Sequence, residues 1–142
     1  MSEPDAWVHA GAVALDADRG VLILGPSGAG KSALALRLMA FGAVLVSDDR
    51  VRLSAEAGAL IARAPGSIRG RIEARGLGIL GAGTLEQARI VLAVDLSQPE
   101  AERLPPHRVC HLCGLAVPLV HGAGCDHLDV AVLQWLKGGR LA

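Results

Sequence analysis

The chain has 142 residues, 51% of them hydrophobic, and its 14 basic side chains balance 14 acidic ones. One domain of this length, residues 1–142, can bury a core of its own, while the zero net charge argues against general nucleic-acid binding. No apolar run approaches the roughly 18 residues of a membrane span, and residues 1–7 lack the features of a secretory signal. The three cysteines cannot all pair with one another. We therefore expect a reduced, cytoplasmic setting with no membrane partner.

The chain begins with a predicted β-hairpin. Residues 8–15 and 21–24 are apolar strand sequence, and the turn-forming stretch 16–20 separates them. With the turn centred near Asp18, paired residue numbers sum to about 36, and His9 falls opposite Ser27. The pattern therefore predicts His9 at the level of the segment that follows the hairpin, although a histidine at an ordinary strand end fits equally well.

Residues 25–32 match the phosphate-loop (P-loop) pattern G-x-x-x-x-G-K-[ST]. Glycines let backbone N–H groups curl around a phosphate, Lys31 adds a mobile positive charge, and the Ser32 hydroxyl can ligand Mg²⁺. A strand at 21–24 and a helix at 32–41 flank the loop, so the positive end of the helix dipole faces the phosphates. The sequence predicts a site for ATP and Mg²⁺, formed by Gly25, Pro26, Ser27, Gly28, Ala29, Gly30, Lys31 and Ser32.

A second buried strand, residues 43–47, ends in the acidic pair Asp48 and Asp49. Many phosphate-loop proteins bring a carboxylate to the metal or to the attacking group in this way. Turn aspartates at the end of a strand are an alternative. The segment 91–95, which ends in Asp95, has the same apolar-then-acidic form, and spacing does not choose between the two.

The middle of the chain contains one unusual segment. A hairpin is predicted from the strands 51–53 and 59–62, and it is followed by residues 63–79, which carry four arginines and four glycines around Glu73. This composition predicts an irregular loop, either functional or simply solvated. A short helix at 86–89 and a proline-rich connection at 97–106, which contains Arg103, complete this part.

The last quarter of the chain contains thiols and imidazoles that could hold zinc. Their spacing fits no common zinc finger, and buried or incidental thiols explain them better. Asp126 can cap a final amphipathic helix with Leu128, Val132, Trp135 and Leu136 on one face, which Gly138 and Gly139 end. The candidate zinc ligands are Cys110, His111, Cys113, His121, Cys125 and His127.

Taken together, these motifs resemble the catalytic domain of HPr kinase/phosphorylase, which modifies a serine of the phosphocarrier protein HPr. The resemblance runs from His9 to about Leu136 and keeps the family's motif order. It rests on His9 ahead of the hairpin, the phosphate loop, Leu-Val-Ser-Asp-Asp-Arg-Val at 45–51, Ile-Glu-Ala-Arg-Gly-Leu-Gly-Ile at 72–79 and Glu-Arg-Leu-Pro at 102–105. The segment 72–79 is the most specific of them.

The resemblance implies a fold and a set of roles. The fold would be α/β, a single P-loop domain with a mixed β-sheet and a core like that of phosphoenolpyruvate carboxykinase. Lys31 would hold the β- and γ-phosphates. Asp48 and Asp49 would supply the general base, with Asp49 preferred. Ser32 and Glu73 would serve the metal, the latter directly or through water.

Other implications concern the remaining site residues and the partners. His9 and Arg103 would occupy the family's other active-site positions, the substrate would be an HPr-type phosphocarrier, and the subunits would form an oligomer, a hexamer by resemblance alone. The chain corresponds to a short form without the family's N-terminal domain. It also lacks arginine in 117–124, where the long form carries a Pro-Gly-Arg segment associated with dephosphorylation, which favours kinase over phosphorylase activity.

Two other functions fit the phosphate loop. The first is a small-molecule or nucleotide kinase, although no lid insertion is apparent. The second is a nucleotide-sensing module without phosphotransfer, in which loss of Asp48 and Asp49 would leave the function intact. A GTPase is disfavoured because the chain has no Asn-Lys-x-Asp motif.

Overall fold

The computed structural model describes residues 5–142, and within them a nine-stranded mixed sheet carries two helices. The sheet order is β1-β5-β6-β9-β3-β2-β4, and β11 joins it beside β9 and pairs with β10. The strands are β1 Ala6–Val8, β2 Ala10–Asp16, β3 Arg19–Leu24, β4 Val44–Ser47, β5 Val51–Glu56, β6 Ala59–Arg63, β7 Arg71–Ala74, β8 Gly78–Gly81, β9 Gln87–Pro99, β10 Arg108–Leu112 and β11 Leu115–Ala123, and the helices are α1 Lys31–Ala40 and α2 Leu128–Gly138.

The centre of the sheet is parallel and its flanks are antiparallel. Strand β9 runs parallel to β3 on one side and to β11 on the other, whereas β2 pairs antiparallel with both β3 and β4. Strands buried on both faces read as continuous apolar sequence, and residues 92–94 of β9 are fully buried. The predicted mixed α/β fold is confirmed.

Two apolar clusters lie on opposite faces of this sheet. Val21 and Ile23 of β3 face α1 and α2, while Leu22 between them joins the second cluster. The sheet curls, so that Val46 of β4 and Leu60 of β6 pack in that second cluster although their strands are distant in the sheet order. Neither helix within residues 5–142 has the length and apolar character needed to cross a membrane.

The first predicted strand is broken at His9, and its register differs from the prediction. Ala10 pairs with Leu24, and Val13 pairs with Val21, so the paired residue numbers sum to 34. The turn is shifted because the Asp16 carboxylate accepts hydrogen bonds from the Asp18 backbone N–H and the Arg19 guanidinium. The predicted pairing of His9 with Ser27 is therefore wrong.

Three other segments also differ from the predicted secondary structure. Residues 86–89 were expected to form a helix, but 87–89 begin β9, where burial alternates in the strand period and Ala88 is covered by β6. The irregular loop expected at 63–79 instead contains a short 3-10 turn at Gly66–Ile68 and the β7–β8 hairpin. The final helix begins after His127 without a side-chain cap, so Asp126 is not its N-cap.

One close approach in the central sheet gives a test of this packing. A Cβ atom at Gly20 would lie 2.8 Å from the carbonyl oxygen of Arg89, and this backbone atom cannot move without disturbing β9. We expect Gly20→Ala to lower the free energy of unfolding by about 1–3 kcal/mol, as overpacking does. The measurement is urea unfolding.

The matched control is Gly81→Ala on β8, where an added Cβ meets nothing within 4 Å. We expect its stability to stay within about 0.5 kcal/mol of the parent. Equal stabilities of the two variants would contradict the close contact between β3 and β9.

Candidate active site

A cavity of about 450 Å³ opens where the loop after β3 meets the β7–β8 hairpin. Its walls come from four parts of the chain: the loop with the first two turns of α1, His9 before β2, Asp49 after β4, and the hairpin. The parallel pairing of β3 with β9 fixes the loop at the carboxyl end of the central strands, where α/β sheets bind ligands.

The loop backbone adopts conformations that side chains disfavour. Gly28 and Gly30 have φ of 86° and 97°, and an added Cβ at either would meet nothing within 4 Å, so conformation rather than space requires glycine there. Helix α1 begins directly after Gly30, and the first N–H groups of a helix have no partner within it. A curled glycine backbone that leads into a helix N-terminus fits a phosphate group.

The side chain of Lys31 lies over this loop. It is 8% exposed, and its ammonium donates hydrogen bonds to the carbonyl oxygens of Gly25 at 2.7 Å and Pro26 at 3.1 Å. A phosphate would offer the same ammonium an ionised acceptor, which makes stronger hydrogen bonds than a carbonyl does. The position of Lys31 therefore suits an anionic ligand in the cavity.

The buried carboxylate of Asp48 connects two walls of the cavity. One of its oxygens accepts a hydrogen bond from the Ser32 hydroxyl at 2.7 Å, and the other accepts one from the Glu73 backbone N–H at 2.9 Å. The residue is 8% exposed and lies at the end of β4, whose preceding residues are part of the core. Asp48 thus joins the start of α1 to β7.

The neighbouring carboxylate of Asp49 has the opposite environment. Its side chain is 64% exposed and approaches the Nδ1 atom of His9 at 3.2 Å. The backbone of Asp49 is left-handed, with φ of 68°, and its carbonyl accepts a hydrogen bond from the Ala10 N–H. The turn after β4 therefore brings His9 and Asp49 together on the cavity that Lys31 also lines.

The other predicted site residues differ in position. Glu73 lines the cavity with an exposed side chain. Arg103 lies in the exposed stretch between β9 and β10, and it is not among the residues of 5–142 that line the cavity. The carboxylate of Asp95, the alternative acidic residue, accepts hydrogen bonds from the N–H and hydroxyl of Ser97.

The sequence motifs do not identify every residue that lines the cavity. Leu36 on α1 and three residues of the hairpin, Ala74, Arg75 and Leu77, line it. Leu36 follows Ala33 at the helical spacing that places both on one face, so that residue could have been found. The hairpin residues depend on a turn that the composition of 63–79 does not predict.

The oxygen ligands at the loop suit Mg²⁺ better than the thiols suit zinc. The Ser32 hydroxyl and the exposed Glu73 carboxylate, which line the same cavity, are hard donors, and Mg²⁺ in phosphate sites needs few protein ligands. Within residues 5–142, no three His, Cys, Asp or Glu side chains are grouped to hold a metal by themselves. Burial raises the pKa of the Cys110 thiol, which disfavours the thiolate that zinc requires.

Comparisons with known proteins agree on one family. A family model described as the HPr serine kinase C-terminal domain matches residues 4–108. The HPr kinase/phosphorylase of Aromatoleum aromaticum is 42% identical over 102 residues, which cover 63% of this chain and 33% of that protein. The enzyme of the same name from Caldicellulosiruptor bescii is 40% identical over 112 residues, covering 70% of this chain and 36% of that protein.

A solved structure extends the similarity to the fold. It is described as the Hpr(Ser) kinase/phosphatase from Coxiella burnetii, and it matches with a TM-score of 0.79 at 29% identity, covering 93% of this chain and 94% of that one. The chain thus spans about a third of the length of the curated relatives it matches and nearly all of the solved chain.

The two aspartates should respond differently to mutation. Asp48→Ala leaves the Ser32 hydroxyl and the Glu73 N–H without their acceptor, so we expect it to lower the free energy of unfolding by about 1–3 kcal/mol. Asp49→Asn, which keeps a side chain tolerant of the left-handed backbone, should stay within about 0.5 kcal/mol of the parent. Denaturant unfolding measures the stability of both variants. An unchanged free energy of unfolding in Asp48→Ala would argue against the connection between α1 and β7.

Proposed function

The chain belongs to the HPr serine kinase C-terminal domain family, and on this premise we propose that it transfers the γ-phosphoryl group of ATP to a serine of an HPr-type phosphocarrier protein of a phosphotransferase system. The observation that carries the proposal is that one cavity brings Lys31 of the loop together with an exposed carboxylate, Asp49. Phosphoryl transfer depends mainly on positioning and on neutralising charge, and this arrangement serves both.

The donor site would be the loop and the start of α1. Its N–H groups would cradle the phosphates of ATP, and the Lys31 ammonium would exchange its two carbonyl acceptors for the β- and γ-phosphate oxygens. Ser32 would hold Mg²⁺, with Glu73 as a second ligand directly or through water. When bound, the metal neutralises charge on the phosphates.

We assign the general base to Asp49 and a positioning role to Asp48. Both oxygens of Asp48 already accept hydrogen bonds within the protein, whereas Asp49 faces the cavity with His9 beside it. The Asp49 carboxylate would take the serine proton while the serine oxygen bonds to the γ-phosphorus. The bond from that phosphorus to the leaving oxygen of ADP would break. A proton acceptor must lie within reach of the hydroxyl, and an exposed carboxylate can do so.

Forward transfer would predominate, with weak reversal at most. Reversal requires inorganic phosphate to be oriented for attack on phosphoserine, a task suited to the bidentate fork of arginine. The segment 117–124, most of which lies in β11, contains no arginine. Arg103 would be left to supply positive charge near the transferred group. We place the protein in the cytoplasm as an oligomer, without nucleic-acid or membrane partners.

The proposal is tested by incubating the protein with γ-labelled ATP, Mg²⁺ and the HPr-type carrier from the same source. We expect label on a carrier serine. Asp49→Asn should lower the rate by about 10²–10⁴-fold, the usual contribution of a general base, while calorimetry shows ATP still bound. Lys31→Ala should lose ATP binding because its ammonium meets the phosphates directly.

Asp18→Asn, an exposed aspartate in the β2–β3 turn, is the matched control and should keep full activity. Transfer to a small molecule but not to the carrier would favour a small-molecule kinase. ATP binding without any transfer would favour a nucleotide sensor. Full activity in Asp49→Asn would overturn the assignment of the base.

A further inference from the structure

The turn of the β7–β8 hairpin places an unusual pair of side chains over the cavity. Leu77 is 81% exposed, yet it lines the same cavity as Lys31 and Ser32. Arg75 lines it too, and its guanidinium has no hydrogen bond or ion pair with any residue of 5–142. An apolar side chain and an unpaired cation at the mouth of one cavity suit a ligand that has both apolar faces and electron-rich rings.

The two ends of the cavity differ in chemistry. Asp49 and His9 occupy the end at which the phosphoryl group would be transferred. Ala33 and Leu36 of α1 and Arg75 and Leu77 of the hairpin turn line the cavity but not the neighbouring depression that contains Asp49 and Glu73. The Glu73 N–H donates a hydrogen bond to the Asp48 carboxylate. The turn of the hairpin lies about three residues after Glu73, which is roughly 10 Å along the strand.

The direction in which a nucleotide would lie follows from these two parts of the cavity. In a phosphate loop, the lysine reaches the β- and γ-phosphates and the loop backbone holds the α- and β-phosphates. With the γ-phosphate directed toward Asp49, the nucleoside must occupy the remaining part of the cavity. Leu36 of α1 and Arg75 and Leu77 of the hairpin turn line that part.

We propose that the β7–β8 turn is the nucleoside-binding wall of the active site, with Leu77 and Arg75 packing against the base of ATP and Leu36 supporting it from α1. The wall contains no aromatic residue, so its contacts with the base would be aliphatic and guanidinium contacts. Arginine stacks on π-faces, and leucine covers them. A cavity of about 450 Å³ is within the usual size for a small-molecule site. This inference rests on the proposed ATP-binding function.

The next strand of the same hairpin offers a matched control. Ile79 is also exposed, at 63%, but it does not line the cavity; it lines a neighbouring depression that contains Arg50 and Arg71 and shares Asp49 and Glu73 with the cavity. Leu77→Ala removes an exposed side chain from the turn, and Ile79→Ala removes one of similar size from the strand position paired with Glu73. Neither side chain belongs to the buried core, so both variants should fold.

The test compares ATP with inorganic tripolyphosphate, which has the phosphate chain but no nucleoside. Each ligand is titrated with Mg²⁺ into the full chain by calorimetry. Leu77→Ala and Arg75→Ala should each weaken ATP binding about tenfold, the order expected for one lost contact with a ligand. Tripolyphosphate affinity should change less than about twofold. Ile79→Ala should change the affinities for ATP and tripolyphosphate by the same factor, because Ile79 lies beside Asp49 and Glu73 rather than at the turn.

Failure of the inference differs from failure of the proposed function. If ATP does not bind the parent, or binds Lys31→Ala equally well, the donor site itself is wrong. If ATP binding depends on Lys31 but not on Leu77 or Arg75, only the nucleoside wall is wrong. Equal affinity of the parent for ATP and tripolyphosphate would overturn it too. So would a Leu77→Ala variant that binds ATP normally but transfers phosphate poorly to the carrier, because the turn would then contact the acceptor protein.

Discussion

The arrangement of the site depends on the buried carboxylate of Asp48. A charge removed from water must be paired or hydrogen-bonded, and this one is satisfied by the Ser32 hydroxyl and the Glu73 N–H. Hydrogen bonds to a charged group each contribute about 1.5–3 kcal/mol, enough to hold α1 and the β7–β8 hairpin at a fixed separation. The cavity lies between these two elements, and the hydrogen bonds of Asp48 hold them together beside the apolar packing of Ile72 of β7 with α1.

The same contact explains why two adjacent aspartates have different environments. Because Asp48 is turned into the protein, the chain must reverse direction, and Asp49 adopts a left-handed backbone that leaves its carboxylate exposed. The Asp49 carbonyl accepts a hydrogen bond from the Ala10 N–H, where the first strand is broken at His9. This hydrogen bond therefore connects the break in the strand to the turn after β4. They place an imidazole and a carboxylate opposite the phosphate loop.

The sequence predicts those parts of the site that depend on local chemistry. The loop needs glycine at positive φ and a helix immediately after it, and the pattern at 25–32 contains both signals. The β7–β8 hairpin could not be predicted because only Ile72 and Ala74 of β7 are buried, and the surrounding arginines and glycines hide this alternation. The paired residue numbers of β2 and β3 sum to a value two lower than predicted, because the hydrogen bonds of the Asp16 side chain tighten the turn. The role of Arg103 stays a prediction, since its position relative to the cavity depends on the non-regular stretch 100–107 between β9 and β10.

The central claim is that the loop and Asp49 face each other across a transferring phosphate. A crystal structure with Mg²⁺ and a non-hydrolysable ATP analogue tests it most directly. We predict that Lys31 leaves the carbonyls of Gly25 and Pro26 for the β- and γ-phosphates, and that the γ-phosphate is directed toward Asp49 and His9. An analogue bound outside the loop, or with its γ-phosphate directed away from Asp49, would contradict the account.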